Sequence, residues 1–385
     1  MLANQTFQIR PLPTLVFGAD SSLDLASHVK ALGRSSALIV TDKGLMASGA
    51  ATALLEKLAA DGVQVEVFDG VAANPTDENV EAGALRLRAL GDAVVIALGG
   101  GSSMDCGKAI ALLATNGDKV TDLQTRGRKE PGVPVIAVAT TAGTGSETNS
   151  ACVITNTALG RKTYVMHPSI VPVVSVLDPK LTLGLPKYPT ATCGFDVLTH
   201  AIEAFTSART TPYSDAVALG AIELVAKYVR TAVENGSDLE ARSQMLMASS
   251  MAAIAFNVSG LGAAHGTGHA LSARLNAAHG QTLATMLPHV MTYNLDVCAA
   301  KYAQVAQAMG AAKPGASIED QAQAAIDAVV ALREDIGISR SIRDLGGTDE
   351  LLPLLVGDAL ADGVNLSNAR PVDAQAIEAL YRAAW

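Results

Sequence analysis

AVVIALGGGSSMDCGKAIALLATN, residues 93–116, is the stretch whose reading decides the fold. Its first part, AVVIALGG (93–100), is an apolar run with no polar interruption, which is how a strand buried on both faces reads. Gly99 and Gly100 end that run, Gly101 and two serines follow, and a helix is expected over 103–114. Glycine lets backbone approach a ligand closely, and Ser102 or Ser103 can cap the helix. Free N–H groups at a helix start attract phosphate. The turn is neither GxGxxG nor a Walker sequence, and a plain strand-to-helix turn is the competing reading. The triple glycine with its serines favours phosphate.

Outward from this unit the same alternation repeats. SALIV (36–40), VQVEVF (63–68) and VPVIAVAT (133–140) read as further strands. GAATALLEKLAADG (49–62) and ENVEAGALRLRALG (78–91) read as amphipathic helices between them. Alternating strands and helices imply a parallel sheet covered on both faces. Past PKLTLGLPKYPT (179–190) strand-like runs almost vanish, and long alanine- and leucine-rich stretches with helical spacing take over. The expected architecture is an α/β dinucleotide-binding domain over 1–185 and an all-helical domain over 186–385.

Two further loops fit a nucleotide. TTAGTGSET (140–148) follows a strand, where parallel sheets bind ligands at their carboxyl ends. ALIVTDKG (37–44) places Asp42 after another strand. An acid there accepts hydrogen bonds from a ribose and repels a 2′-phosphate, which favours NAD over NADP; a helix cap is the competing reading. FDGVAANPT (68–76) adds Asn74 in a similar loop.

Composition limits the partners. The chain is 49% hydrophobic with a net charge of −9, and it has no basic run, which argues against nucleic acid. No apolar stretch reaches membrane-spanning length, and MLANQTFQIRPLP lacks the pattern of a signal peptide. Cys106, Cys152, Cys193 and Cys298 form no CxxC pair, as expected of reduced thiols in a cytoplasmic protein.

The helical half carries the metal-ligating chemistry. GFDVLTHAIEAF (194–205) sets Asp196 and His200 four apart, on one helix face. His265 and His269 repeat the spacing, and His279 lies ten further on. Three of the chain's seven histidines thus fall within fifteen positions. Each pair alone is more often structural. Two pairs and a third histidine together point to a mixed nitrogen and oxygen site for a divalent ion. His28, His167 and His289 read as surface, loop or packing residues.

With TDKG, NPT, GGGSSMDCGK, TTAGTGSE, GFDVLTHAIEAF, HGTGH and AAHG in this order, the chain resembles the iron-containing, or group III, alcohol dehydrogenases nearly end to end. The resemblance implies a Rossmann-like domain and a helical metal-binding domain, the architecture shared with dehydroquinate synthase. It implies Asp196, His200, His265 and His279 as metal ligands, with His269 beside them as a candidate proton relay or as a residue orienting a ligand. Gly100, Gly101, Ser102 and Asp105 match the pyrophosphate loop, Thr140, Thr141 and Thr144 the nicotinamide side, and Lys162 a lysine near the cofactor. The implied reaction is hydride transfer between NAD(H) and a small alcohol or aldehyde on a divalent metal, Fe2+ ahead of Zn2+. A homodimer or larger homo-oligomer is also implied.

The chain departs from the family's pattern after His269. Ala270, Arg274, Leu275 and Ala278 stand where many relatives carry proline and aromatic residues. Arg274 reads either as a solvated helix arginine or as a contact for an acidic substrate such as a semialdehyde carboxylate. Two rival functions remain at this stage. A lyase resembling dehydroquinate synthase needs cationic residues around a sugar phosphate, and the region near the histidines has few. A non-catalytic metal or nucleotide binder does not explain both sites in one chain.

Overall fold

The computed structural model describes residues 6–9, 12–124, 129–159 and 161–385. The strand of the 93–116 stretch lies in the middle of a six-stranded parallel sheet, and its helix packs against that strand. In chain order the strands are β1 Thr14–Phe17, β2 Ser36–Val40, β3 Gln64–Phe68, β4 Ala93–Gly99 and β5 Val135–Ala139, then a hairpin of β6 Ala151–Asn156 and β7 Arg161–Met166, and β8 Val174–Leu177. The helices among them are α1 Leu25–Ala31, α2 Lys43–Ser48, α3 Thr52–Ala60, α4 Asp77–Leu90, α5 Gly101–Asn116 and α6 Val120–Gln124. The sheet order is β1-β8-β5-β4-β2-β3, with every pair parallel. β2, β4 and β5 are buried along their whole length, which is why they read as unbroken apolar runs.

This order fixes where a ligand binds. The chain steps from β2 to β3, then crosses back over β2 to β4 and on to β5. The direction reverses between β2 and β4. In such sheets ligands bind at the carboxyl ends of the two strands flanking the reversal. Here those ends lead into Asp42 and into Gly100–Ser102.

One boundary needs correction. The helix expected over 49–62 is α3, and the short α2 before it ends where Gly49 adopts a left-handed φ of 76°. The helix expected from 103 begins at Gly101, with Gly100 as its N-cap. The structure also adds β1, the β6–β7 hairpin and β8. β1 and β8 are only four residues long.

The chain divides between Leu185 and Pro186, and residues 6–9 group with the second unit. That unit holds α7 Lys187–Thr206, α8 Pro212–Glu234, α9 Leu239–Ser259, α10 Ala263–Leu275, α11 His279–Ala308, α12 Ile318–Asp335, α13 Leu352–Leu360 and α14 Ala374–Ala383, with no strand among its described residues. α7 packs against α8, α9 and α11 and is buried on almost every face from Thr190 to Thr206. A helix apolar all round belongs in a core. Ionisable side chains on such a helix need a specific partner, because burying an uncompensated charge is expensive.

Candidate metal centre and nucleotide loops

At the carboxyl ends of β4 and β5 the two glycine-rich turns interlock. Thr140 N donates to Gly99 O at 3.0 Å. A Cβ on Gly101 would lie 2.7 Å from Thr144 Cγ2, and one on Gly100 would lie 3.1 Å from Thr141 Oγ1. Glycine at these positions is what lets the threonine loop sit against the start of α5. No side chain caps α5, so its first N–H groups keep the anion-binding character of a helix start. Ser102 Oγ donates to Ala73 O at 2.6 Å, tying in the loop that carries Asn74.

Asp42 is the N-cap of α2 and accepts from Leu45 N at 2.9 Å through Oδ1. The capping role weighed from sequence is therefore realised, and it fixes the carboxylate at the end of β2. Asp105 accepts from Ser146 Oγ and from Val153 N, so it clasps the threonine loop and the hairpin to α5. Lys108 was not singled out from sequence. It is wholly buried, and its Nζ donates to Ser146 O, Asn149 Oδ1 and Ala151 O at 2.9, 3.0 and 2.6 Å. Lys162 lies on β7 opposite Thr155, where burial pushes its ammonium below the usual lysine range against the pull of Asp105. Glu147, also missed, is 2% exposed, and burial pushes its carboxyl up to about 7.

In the helical unit three imidazoles gather around one carboxylate oxygen. Asp196 Oδ1 lies 3.4 Å from His200 Nε2, 3.7 Å from His265 Nε2 and 3.8 Å from His279 Nε2. The ligand atoms of Asp196, His265 and His279 lie within 4.8 Å of one another. Asp196 Oδ1 and His265 Nε2 are buried and have no hydrogen-bond partner. Ligands about 2.1 Å from a shared tetrahedral ion stand about 3.4 Å apart. The spacing is therefore loose for hydrogen bonds and close to what a common ion sets: Asp196, His265 and His279 fit a divalent metal among themselves, and His200 meets that spacing to Asp196.

Burial alone would raise Asp196, but His200, His279 and His265 outweigh it and hold its carboxyl well below the usual range. Burial pushes His200 down to about 4 against the pull of Asp196. At neutral pH the carboxylate is thus charged and this imidazole neutral, the forms that bind metals.

Sequence reasoning missed two carboxylates that orient this group. Glu203 Oε2 lies 2.5 Å from His265 Nδ1, and its Oε1 accepts from Ala264 N at 2.7 Å. One carboxylate thus holds the imidazole and satisfies an open N–H at the start of α10. Burial disfavours the His265 cation, yet Glu203 and Asp196 raise this histidine to about 9. Glu203 follows Asp196 by seven residues on the same face of α7, a spacing visible in the sequence. Asp362 Oδ2 lies 2.7 Å from His269 Nδ1. Nothing local to His269 signals a partner 93 positions away.

α10 ends at Leu275, with Asn276 in a left-handed conformation at φ 49°, and α11 begins at His279. Gly280 permits this entry, since a Cβ there would lie 2.0 Å from Thr192 O on α7. Arg274 donates Nε to Asp358 Oδ2 at 2.6 Å on the protein surface. Its charge is met by that acid, in line with the solvated reading.

Comparison with known proteins matches these two halves separately. Residues 13–179 match the model of the iron-containing alcohol dehydrogenases, and residues 190–385 match the C-terminal model of the Fe-containing alcohol dehydrogenase family. The chain is 41% identical over 372 residues to the 1,3-propanediol dehydrogenase of Klebsiella pneumoniae, covering 96% of each. It is 35% identical over 371 residues to the NAD-dependent methanol dehydrogenase of Bacillus methanolicus, covering 96% of this chain and 97% of that one. A crystal structure of 1,3-propanediol oxidoreductase superposes with a TM-score of 0.95 at 40% identity, covering 99% of this chain and 100% of that one.

Proposed function

The chain belongs to the iron-containing alcohol dehydrogenase family, and on that premise we propose that Asp196, His200, His265 and His279 hold one divalent ion. As a member it is an NAD-linked, metal-dependent alcohol dehydrogenase, an oxidoreductase that moves a hydride between nicotinamide and an alcohol or aldehyde. The observation that carries the metal assignment is the buried, unpartnered Asp196 Oδ1 with three imidazole nitrogens around it.

The nucleotide is proposed to lie over Gly100, Gly101 and Ser102, with Thr140, Thr141 and Thr144 on the nicotinamide side and Asn74 and Lys162 bordering it. Asp105 holds the loops together. Asp42 favours NAD over NADP, because its capped carboxylate would repel a 2′-phosphate. Fe2+ is favoured over Zn2+ on the family's character, although three imidazoles and a carboxylate accept either ion.

When bound, the metal supplies a Lewis acid for the substrate oxygen and the nicotinamide supplies the hydride carrier. Asp196 contributes the negative charge that offsets part of the ion's. With an ion in place of the Nε2 proton, Glu203 would hold the remaining His265 proton on Nδ1 and leave the Nε2 lone pair for the metal. His269 is proposed as the proton relay: Asp362 fixes its Nδ1, so protons exchange at Nε2.

The substrate is read as a small neutral primary alcohol or its aldehyde, since Asp358 already meets the charge of Arg274. A homodimer or larger assembly is supported by β1, an edge strand whose Leu15 and Phe17 are 37% and 42% exposed. No single helix is long and apolar enough to cross a membrane. Four free cysteines support a cytoplasmic setting.

The test is anaerobic NADH oxidation with a panel of small neutral and acidic aldehydes, with Fe2+ or Zn2+ added and NADPH in parallel. The expected result is metal-dependent turnover of neutral aldehydes with NADH preferred. Absence of turnover on every aldehyde would reject the assignment.

A further inference from the structure

A second concentration of donors lies in the helical unit, on the far part of α11. Pro288 sits inside that helix and has no amide hydrogen, so Ala284 O loses its helical donor. Arg333 of α12 replaces it, donating Nη1 to Ala284 O at 2.9 Å. Next to this repair, His289, Arg333, Arg340 and Trp385 line a cavity of about 370 Å³.

The donors around this cavity are largely unused. The side chains of His289 and Arg340 make no hydrogen bond or ion pair among the described residues. Arg333 Nε and Trp385 Nε1 are buried without a hydrogen-bond partner. The acid lining the cavity, Asp344, already accepts from Ser341 N at 2.9 Å. Arg343 stacks over the Trp385 ring at 5.6 Å and is paired with Asp349 at 3.4 Å. Among the lining residues the two arginines outnumber the one acid, Asp344, whose charge faces Arg340.

We propose that this cavity binds a tetrahedral oxyanion, the phosphate group of a small metabolite or free orthophosphate, at a site distinct from the nucleotide loops. Two guanidinium groups, an imidazole and an indole N–H match the acceptors of a phosphate, and guanidinium presents paired donors to it. Ser339 also lines the cavity, while the Ser341 hydroxyl is engaged with Asp344. The volume suits a phosphate carrying a few carbons. The wall that carries Arg340 is fastened to α11: Gln281 Nε2 donates to Ile338 O at 2.8 Å, and Thr285 Oγ1 donates to Arg340 O at 2.9 Å.

Calorimetric titration of the metal-loaded enzyme, with NADH saturating so that the nucleotide loops are filled, tests this. Orthophosphate and glycerol 3-phosphate are the two probes, with chloride at matched ionic strength as the blank. The proposal expects saturable binding of at least one probe, weakened about 10-fold or more in Arg340→Gln and in His289→Gln, with kcat unchanged in both. Equal affinity for the two probes identifies free phosphate as sufficient, and tighter glycerol 3-phosphate identifies an ester. No saturable heat with either probe, or affinity unchanged in both variants, overturns it. Arg340 is exposed and His289 is only partly buried, so both variants are expected to fold, and circular dichroism checks this.

Discussion

His265 is held by Glu203: its Nδ1 lies 2.5 Å from Glu203 Oε2, while its Nε2 faces Asp196 Oδ1 at 3.7 Å. One imidazole thus connects a proposed metal to a carboxylate beneath it. Glu203→Gln keeps the acceptor for Ala264 N but loses the charge that orients His265. The expected outcome is a metal affinity lower by about 10- to 100-fold, measured by competition with a chelator, and activity largely recovered at excess metal. Unchanged affinity would mean that Glu203 serves only to cap α10.

His269 has a different expected signature. If Asp362 anchors a proton relay, His269→Gln keeps the metal and loses kcat by about 100-fold or more, with a flattened pH profile. Asp362→Asn gives a smaller loss in the same direction. Metal content measured beside kcat separates this from a ligand role, because loss of metal in His269→Gln would assign His269 to the coordination set instead.

Gly280 tests the packing that delivers His279. A methyl group there would stand 2.0 Å from Thr192 O, and that backbone carbonyl cannot swing aside as a side chain does. Gly280→Ala is expected to lower stability by about 1–3 kcal/mol and to lower metal occupancy with it. Thermal unfolding with and without added metal checks both. A variant with wild-type Tm and wild-type occupancy would refute the close-approach argument.

Glu147 links stability to pH. Burial raises its folded pKa from 4.5 to about 7, so the folded state binds this proton more tightly than the unfolded state does. The contribution is fully present below about pH 4.5 and is lost as pH rises through about 7, on the order of 3 kcal/mol in all. Glu147→Gln removes this slope, so the variant gains stability on the wild type between pH 5 and pH 8 in urea titrations. Parallel profiles would show that Glu147 is not the group responsible.

These relationships were unequally legible in the sequence. The central strands announce themselves because β2, β4 and β5 are buried on both faces and therefore apolar throughout. β1 and β8 do not, being four residues long with no alternation to detect. Asp196 and His200 stand out by helical spacing, and the same spacing carries on to Glu203. The partner of His269 and the neighbour of Gly280 are different in kind. Asp362 and Thr192 are remote in the chain, and only packing brings them near. The capping and ribose readings of Asp42 were both available from sequence. The structure places the cap without excluding the ribose, since one carboxylate has oxygens for both.

The most direct test of the central claim is metal content against turnover in one preparation. Protein purified without air is analysed for iron and zinc, assayed with NADH and a small aldehyde, then stripped with chelator, assayed again and reloaded. The account predicts about one ion per chain, activity lost in proportion to the ion removed and restored by Fe2+ or Zn2+, and neither metal nor activity in a folded His265→Ala variant. Full turnover in the stripped protein would contradict it.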